Sequence, residues 1–361
     1  MVVVCCTRCH LEYPAQGMPY LCPACGGVLD WDEWPGFSRV EGDEPAAGLW
    51  RYRPALGLPL DAPLVTLGEG DTPLIWDEVD GLPVGYKMES LNPSGSYKDR
   101  GSAVLLSLML ARGVHEAVED SSGNAGASFA AYCARAGIKA RVFVPSSASG
   151  PKRRQIEIYG ADLVEVPGPR SAAAAAVRQA AQAGVVYASH AYLPFGMTGI
   201  ATIAYELIDQ VGQVPGTVIA PVGHGSLFLG IVRGFASLKA AGVIKTLPRY
   251  VGVQSAACAP FWAAFYHHDI PVTEGPTLAE GIRVLQPVRA SALVAALDPG
   301  IDTVVAVQES DVLPARDELA RRGIYVEPTS AVVWAAFKQL SKRLLGPVIL
   351  IMSGSGYKFQ N

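Results

Sequence analysis

No run of apolar residues in the 361-residue chain reaches the ~20 that a membrane-spanning helix needs. Lysine and arginine form no extended cluster, and 29 basic against 33 acidic residues leave a net charge of −4. Neither a nucleic acid nor a membrane surface is expected as a partner. The opening "MVVVCCTRCH" turns polar too early to hold the apolar core of a secretory signal. The expected setting is soluble and cytoplasmic. Single cores stop growing at roughly 250–300 residues, so this length predicts two packed lobes, or a domain with an appendage.

Cysteine is nearly absent beyond residue 25. Five of the seven cysteines precede that point, and Cys133 and Cys258 stand alone. An odd count with isolated thiols argues against an extracellular disulfide framework. The early group holds two CxxC knuckles, Cys6-Thr-Arg-Cys9 and Cys22-Pro-Ala-Cys25, separated by twelve residues. Each knuckle presents two sulfurs to one ion, and zinc favours four thiolates in a tetrahedron. A filled shell leaves no open position, so the expected ion is structural. An unmetallated remnant or a redox pair is the alternative; Cys5 sits where it can replace Cys6, and His10 is not expected to ligate.

Three parts are expected along the chain. Residues 1–40 form a zinc-ribbon-like segment. A Pro- and Gly-rich but aromatic-bearing connection follows, and from about residue 85 strands and helices alternate. The runs "VGYKME", "ARVFVP", "ADLVEV", "VVYAS", "GTVIAPV", "RYVGVQ", "TVVAVQ" and "VILIMS" read as buried strands. Stretches such as "SAVLLSLMLARG", "AGASFAAYCARAG" and "GIATIAYELIDQVG" read as helices between them. The alanine run at 171–184 reads as a crossover helix, because alanine is the best helix former. This alternation predicts an α/β fold with parallel sheets covered on both faces.

Three small-residue turns each follow a strand signal and open a helix: "EDSSGNAG", "PVGHGS" and "MSGSGYK". Such a junction presents backbone N–H groups and a helix dipole to an anion or cofactor. None is a Walker A loop, and none is a full dinucleotide fingerprint. A fourth stretch, "NPSGSYKDRG" at residues 92–101, places Lys98 after small turn formers.

In that order, and together with "LWRYR", "VTLGEGDTPL", "AYE" and "GIYVEPTSA", these blocks resemble the fold type II pyridoxal-phosphate enzymes, and the threonine synthases among them. The resemblance implies a large cofactor-binding lobe from residues 41–89 and 191–361, a small mobile lobe from 90–190, and a homodimer. It implies that Lys98 forms the Schiff base with pyridoxal 5'-phosphate and later shuttles protons, a role suited to an amine activated by desolvation. Asn124 would bond the cofactor's phenolic oxygen. Gly223, His224, Gly225, Ser226 and Leu227 would cradle its phosphate, the His224 side chain being read as a polar cap residue. Ser353 would face the pyridine nitrogen; a neutral hydroxyl there favours elimination and replacement at the β and γ carbons. Ser94, Ser122, Gly123 and Ala125 would contact the amino-acid substrate.

The likeness frays at "HAYLPFGMTGIATIAYE" (190–206). Threonine synthases hold the substrate's phosphate there with an Asn-Ser pair and an arginine, which fall here on His190, Ala191 and Gly196. The following polar pair falls on Ile200 and Ala201, and Phe359 stands where the family carries Asp. Either basic groups elsewhere (Lys152, Arg153, Arg154 or Arg283) bind a phosphate, or the substrate carries none, because an unpaired dianion in an apolar pocket is costly. Three readings follow. The first is a lyase converting O-phosphohomoserine and water to threonine and phosphate. The second is a serine/threonine dehydratase or β-replacement enzyme acting on a non-phosphorylated amino acid, which the apolar stretch favours. The third is an inactive zinc-ribbon interaction scaffold, against which the presence of Lys98, Asn124 and Ser353 argues.

Overall fold

Short apolar runs and alanine- or leucine-rich helices alternate in the computed structural model, which describes residues 3–40, 47–146, 150–168, 170–268 and 274–359. The strands are β1 (Val4–Cys6), β2 (Leu29–Trp31), β3 (Leu74–Val79), β4 (Leu82–Lys87), β5 (Glu116–Glu119) and β6 (Lys139–Pro145). They continue as β7 (Asp162–Val166), β8 (Val186–Tyr187), β9 (Thr217–Pro221), β10 (Arg249–Ser255), β11 (Thr303–Val307) and β12 (Val348–Ile351). The helices are α1 (Lys98–Ala111), α2 (Asn124–Ala136), α3 (Pro151–Ile158), α4 (Arg170–Gln182) and α5 (Gly196–Val211). After them come α6 (Ser226–Ala240), α7 (Pro260–Phe265), α8 (Ala290–Ala295), α9 (Glu309–Arg321) and α10 (Pro328–Leu340).

The chain divides into two compact units, one of residues 1–69 and 98–200, the other of residues 70–97 and 201–359. The first unit holds a four-stranded parallel sheet in the order β7-β6-β5-β8. Its core joins α1 and α2 through Leu106, Met109, Tyr132 and Cys133, all fully buried. The cysteine-bearing segment belongs to the same core through Val4, Met18 and Leu29. Two polar ties fasten it: Trp31 Nε1 donates to the Pro194 carbonyl at 3.1 Å, and Arg112 donates to the carbonyls of Pro14 and Gly17 at 3.1 and 2.8 Å. The antiparallel pair β1–β2 forms this segment's own small sheet.

The second unit holds a six-stranded sheet in the order β11-β10-β9-β12-β4-β3. All neighbours are parallel except the edge strand β3, which runs antiparallel to β4. Strands β9 and β12 are buried at every position, as expected of parallel strands covered on both faces. On one face lies α10, buried from Pro328 to Phe337. The sequence expectation of parallel α/β sheets is met in both units. Four strands escaped the apolar-run reading: β1 and β2 are three-residue strands in the cysteine-bearing segment, β5 is flanked by glutamates, and β3 is a half-exposed edge. No described helix is long and apolar enough to cross a membrane.

Candidate active site

In the first unit, Lys98 is the first residue of α1 and Asn124 the first of α2. Both are half-buried. The two helices meet at these ends, because the Ser128 hydroxyl donates to Asp99 Oδ1 at 2.6 Å and lies 2.7 Å from the Ser102 hydroxyl. Asp99 is fully buried, so this bond satisfies a carboxylate that water cannot reach. Ser122 and Gly123 form the turn before α2, and Ala125 is buried in its first turn. The turn is tight. A Cβ on Gly126 would lie 1.8 Å from the Ser121 carbonyl oxygen, so α2 can start there only on glycine.

In the second unit, β9 runs into the Gly223–Leu227 loop and α6, and β12 runs into Ser353. These strands are neighbours, so the loop and Ser353 sit at adjacent carboxyl ends of one parallel sheet. In open α/β sheets that is where ligands bind. Gly225 has φ +102° and forms the N-cap of α6, a position the sequence reading assigned to His224. A Cβ on Gly225 would meet Leu293 Cδ1 at 2.9 Å, and one on Gly223 would meet the Gly281 carbonyl at 2.9 Å. Small residues therefore keep the helix start open to an anion, with backbone donors and the helix dipole facing it.

Ser353 is buried at 1%, and its hydroxyl lies 3.0 Å from that of Ser330. The Ser330 hydroxyl also accepts from the Gly354 N–H at 3.0 Å. Ser353 and Ser330 thus form a neutral hydroxyl pair at this strand end. The run before Lys98 is stapled to the same turn. Tyr97 N donates to the Ser353 carbonyl at 3.1 Å, Ser96 bridges Gly354, and Lys358 Nζ donates to the Ser94 carbonyl at 2.8 Å. Ser330 and Lys358 were not found from sequence, since only their distant partners give them meaning.

The donor set fits pyridoxal phosphate. A glycine-bounded helix start suits the phosphate, an uncharged hydroxyl suits the ring nitrogen, and Lys98 adjoins Tyr97, which is bonded at the Ser353 turn. A family model described as pyridoxal-phosphate dependent enzyme matches residues 65–354. The chain belongs to that family. Within the family its curated relatives include threonine synthases. One from Methanocaldococcus jannaschii is 33% identical over 374 residues, covering 98% of this chain and 92% of the relative. One from Methanosarcina acetivorans is 32% identical, covering 93% and 86%, and one from Synechocystis is 33% identical, covering 87% and 85%. Among solved structures, a threonine deaminase from T.th. superposes with a TM-score of 0.68 at 26% identity, covering 80% of this chain and 94% of that one. Maize serine racemase reaches a TM-score of 0.69 at 20% identity, covering 79% and 88%, which shows the shared fold.

The four knuckle cysteines converge as well. The Sγ atoms of Cys6, Cys9, Cys22 and Cys25 lie within 4.8 Å of one another. Individual separations are 3.5 Å for Cys6–Cys25, 3.6 Å for Cys9–Cys22 and 3.4 Å for Cys9–Cys25. Backbone N–H groups of Cys9 and Arg8 point at Cys6 and, against the effect of burial, lower its thiol to about 6. A Cβ on Gly27 would lie 2.7 Å from Cys6 Sγ, so the chain closes on the sulfurs at glycine. This thiol cluster can hold a metal ion.

Proposed function

We propose that the chain is a threonine synthase, which eliminates phosphate from O-phosphohomoserine and adds water at the β carbon to give threonine. The observation that carries this reading is the similarity to curated threonine synthases along 98% of the chain. Bound pyridoxal phosphate supplies an electron sink that makes the substrate's carbon-bound hydrogens acidic. Lys98 is the covalent anchor and the base: its amine takes protons from the α and β carbons and returns protons at the γ and α carbons. Asn124 hydrogen-bonds the phenolic oxygen, residues Gly223, His224, Gly225, Ser226 and Leu227 hold the cofactor phosphate through their backbone, and Ser353 bonds the ring nitrogen without charging it. Ser94, Ser122, Gly123 and Ala125 line the substrate's amino-acid end. In the net reaction the γ C–O bond breaks with its electron pair leaving on phosphate, and the hydroxyl of water ends on the β carbon.

Cys6, Cys9, Cys22 and Cys25 bind a structural zinc ion. Family likeness supports a cytoplasmic homodimer in which residues of about 90–190 form a mobile lobe that closes over substrate and excludes water.

The deciding assay measures phosphate release from O-phosphohomoserine beside ketoacid formation from serine and threonine. Faster phosphate release is expected, whereas ketoacid formation without phosphate release would transfer the chain to the dehydratases. Lys98→Ala is expected to lose the cofactor's visible absorbance and all turnover. An unaltered spectrum in that variant would remove Lys98 from its role. Sedimentation of the purified protein tests the dimer.

A further inference from the structure

We propose that Ser128 is a positioning residue that sets the spacing between the Lys98 amine and the Asn124 amide. Its role rests on the cofactor reading above, in which Lys98 anchors pyridoxal phosphate and Asn124 bonds the phenolic oxygen. What it adds is the group that keeps those two residues in register.

Helix α2 carries a polar stripe. Asn124, Ser128 and Tyr132 recur at every fourth position and so lie along one face. Between them Ala125, Ala127, Phe129, Ala130 and Ala131 are buried and apolar. One end of the stripe is a closed structural anchor: the Tyr132 hydroxyl donates to Glu69 Oε2 at 2.5 Å. The same carboxylate accepts from Trp50 Nε1 at 2.7 Å and from the Leu67 N–H at 2.9 Å. Ser128, in the middle, is fully buried and turned to α1. Its hydroxyl donates to Asp99 Oδ1 at 2.6 Å, and its oxygen lies 2.7 Å from that of Ser102.

The spacing on α1 matches. Asp99 follows Lys98, and Ser102 stands four residues on, so Ser102 lies one turn below Lys98 as Ser128 lies one turn below Asn124. A single oxygen therefore joins the two helices one turn from the two residues that would hold the cofactor. The helix starts have no slack of their own. A Cβ on Gly199 would lie 2.1 Å from the Arg100 carbonyl oxygen, and one on Gly196 would lie 3.0 Å from that of Gly101. Helix α1 thus seats backbone to backbone on the start of α5, while α2 is pinned at Gly126 against Ser121. Steric contact fixes each helix from outside, and Ser128 ties the pair from within.

Apolar neighbours would hold two helices together yet let them slide. A hydroxyl-to-carboxylate bond is short, strong and directional, and fixes one register. The register matters because the aldehyde and the phenolic oxygen of pyridoxal phosphate sit on adjacent ring carbons, so their two protein partners cannot drift independently. A misplacement of about 1 Å in such a pair costs up to about 100-fold.

The test follows release of pyridoxal phosphate from the full-length holoenzyme on dilution, read by visible absorbance as a cofactor dissociation constant. Ser128→Ala should weaken that affinity about tenfold. On an Asn124→Ala background, where the amide to be placed is gone, the same change should cost less than about twofold further. Ser107→Ala is the control for a lost buried hydroxyl. That side chain donates to the Ala103 carbonyl and accepts from the Val65 N–H, so its loss should lower Tm and leave cofactor affinity in place. Should Ser128→Ala fail to fold, Ser102→Ala opens the other side of the bridge and leaves Asp99 its donor. It should weaken affinity about threefold, again only when Asn124 is present. Affinity within about twofold of wild type in the variant that folds, or a loss that adds in full to that of Asn124→Ala, would overturn the positioning role alone. A wild-type chain that binds no pyridoxal phosphate would overturn the cofactor reading, and the role of Ser128 with it.

Discussion

Lys87 and Glu206 offer a direct measure of how much one buried ion pair contributes to the second unit. Both side chains are 0% exposed, and their charged atoms lie 2.6 Å apart. The ammonium also donates to the Thr72 carbonyl at 2.8 Å and to Gln210 Oε1 at 3.0 Å, while Glu206 Oε1 accepts from the Asp71 N–H at 2.9 Å. The cluster therefore pins the loop at residues 70–73 to α5. Lys87→Met keeps most of the stem's volume and takes the ammonium away from the buried Glu206 carboxylate. Removing one partner of a buried pair costs about 3–5 kcal/mol, against about 0.2–1 kcal/mol for an exposed pair. With a urea dependence of about 3 kcal/mol per molar, the unfolding midpoint should fall by about 1 M or more. Lys87→Met combined with Glu206→Leu removes both charges and should recover much of that loss. Recovery is partial, because the Asp71 N–H then lacks its acceptor, at about 1–3 kcal/mol. Urea titrations followed by circular dichroism read all three variants. A single variant within about 1 kcal/mol of the parent, or a double variant that loses the sum of the singles, would refute the reasoning.

Other expectations concern separate parts of the chain. Metal analysis should find one zinc per chain; Cys22→Ser should lose it and lower Tm, whereas Cys133→Ser should keep it. Gly225→Ala forces an L side chain into φ +102° against Leu293 and should weaken pyridoxal-phosphate binding about tenfold in a visible-absorbance titration. Burial would raise the Asp77 carboxyl, but Arg322 outweighs it and holds the group below its ordinary value. A carboxylate depressed in the folded state adds stability above its unfolded pKa and loses it as pH falls through the folded one. Arg322→Ala should therefore cost at most about 1 kcal/mol near neutral pH, and the part of that cost due to Asp77 should be lost as pH falls through the depressed carboxyl's range, leaving the contact with Trp334.

Much of the fold was legible because strands buried on both faces must be apolar at every position, as β9 and β12 are. Strand β5 escaped because a four-residue strand bracketed by Glu116 and Glu119 carries no apolar run, and β3 escaped because an edge strand can leave Trp76 at 45% exposure. The candidate site was legible to the extent that its constraints are local: glycine where a helix starts against a wall, a lysine after a tight turn. Ser330 and Ser128 could not be read that way. Their partners lie 23 and 29 residues away, and a serine declares nothing until the fold brings that partner near.

Strand β12 lies between β9 and β4 in the six-stranded sheet, although 126 residues of chain separate Pro221 from Val348. Until residue 351 has been synthesised, the nascent sheet consists of two fragments whose facing rims are unpaired backbone. Such rims invite pairing with other chains. A premature stop after β11 and before Val348 therefore leaves both rims bare, and its product is expected to aggregate rather than work as a shorter enzyme.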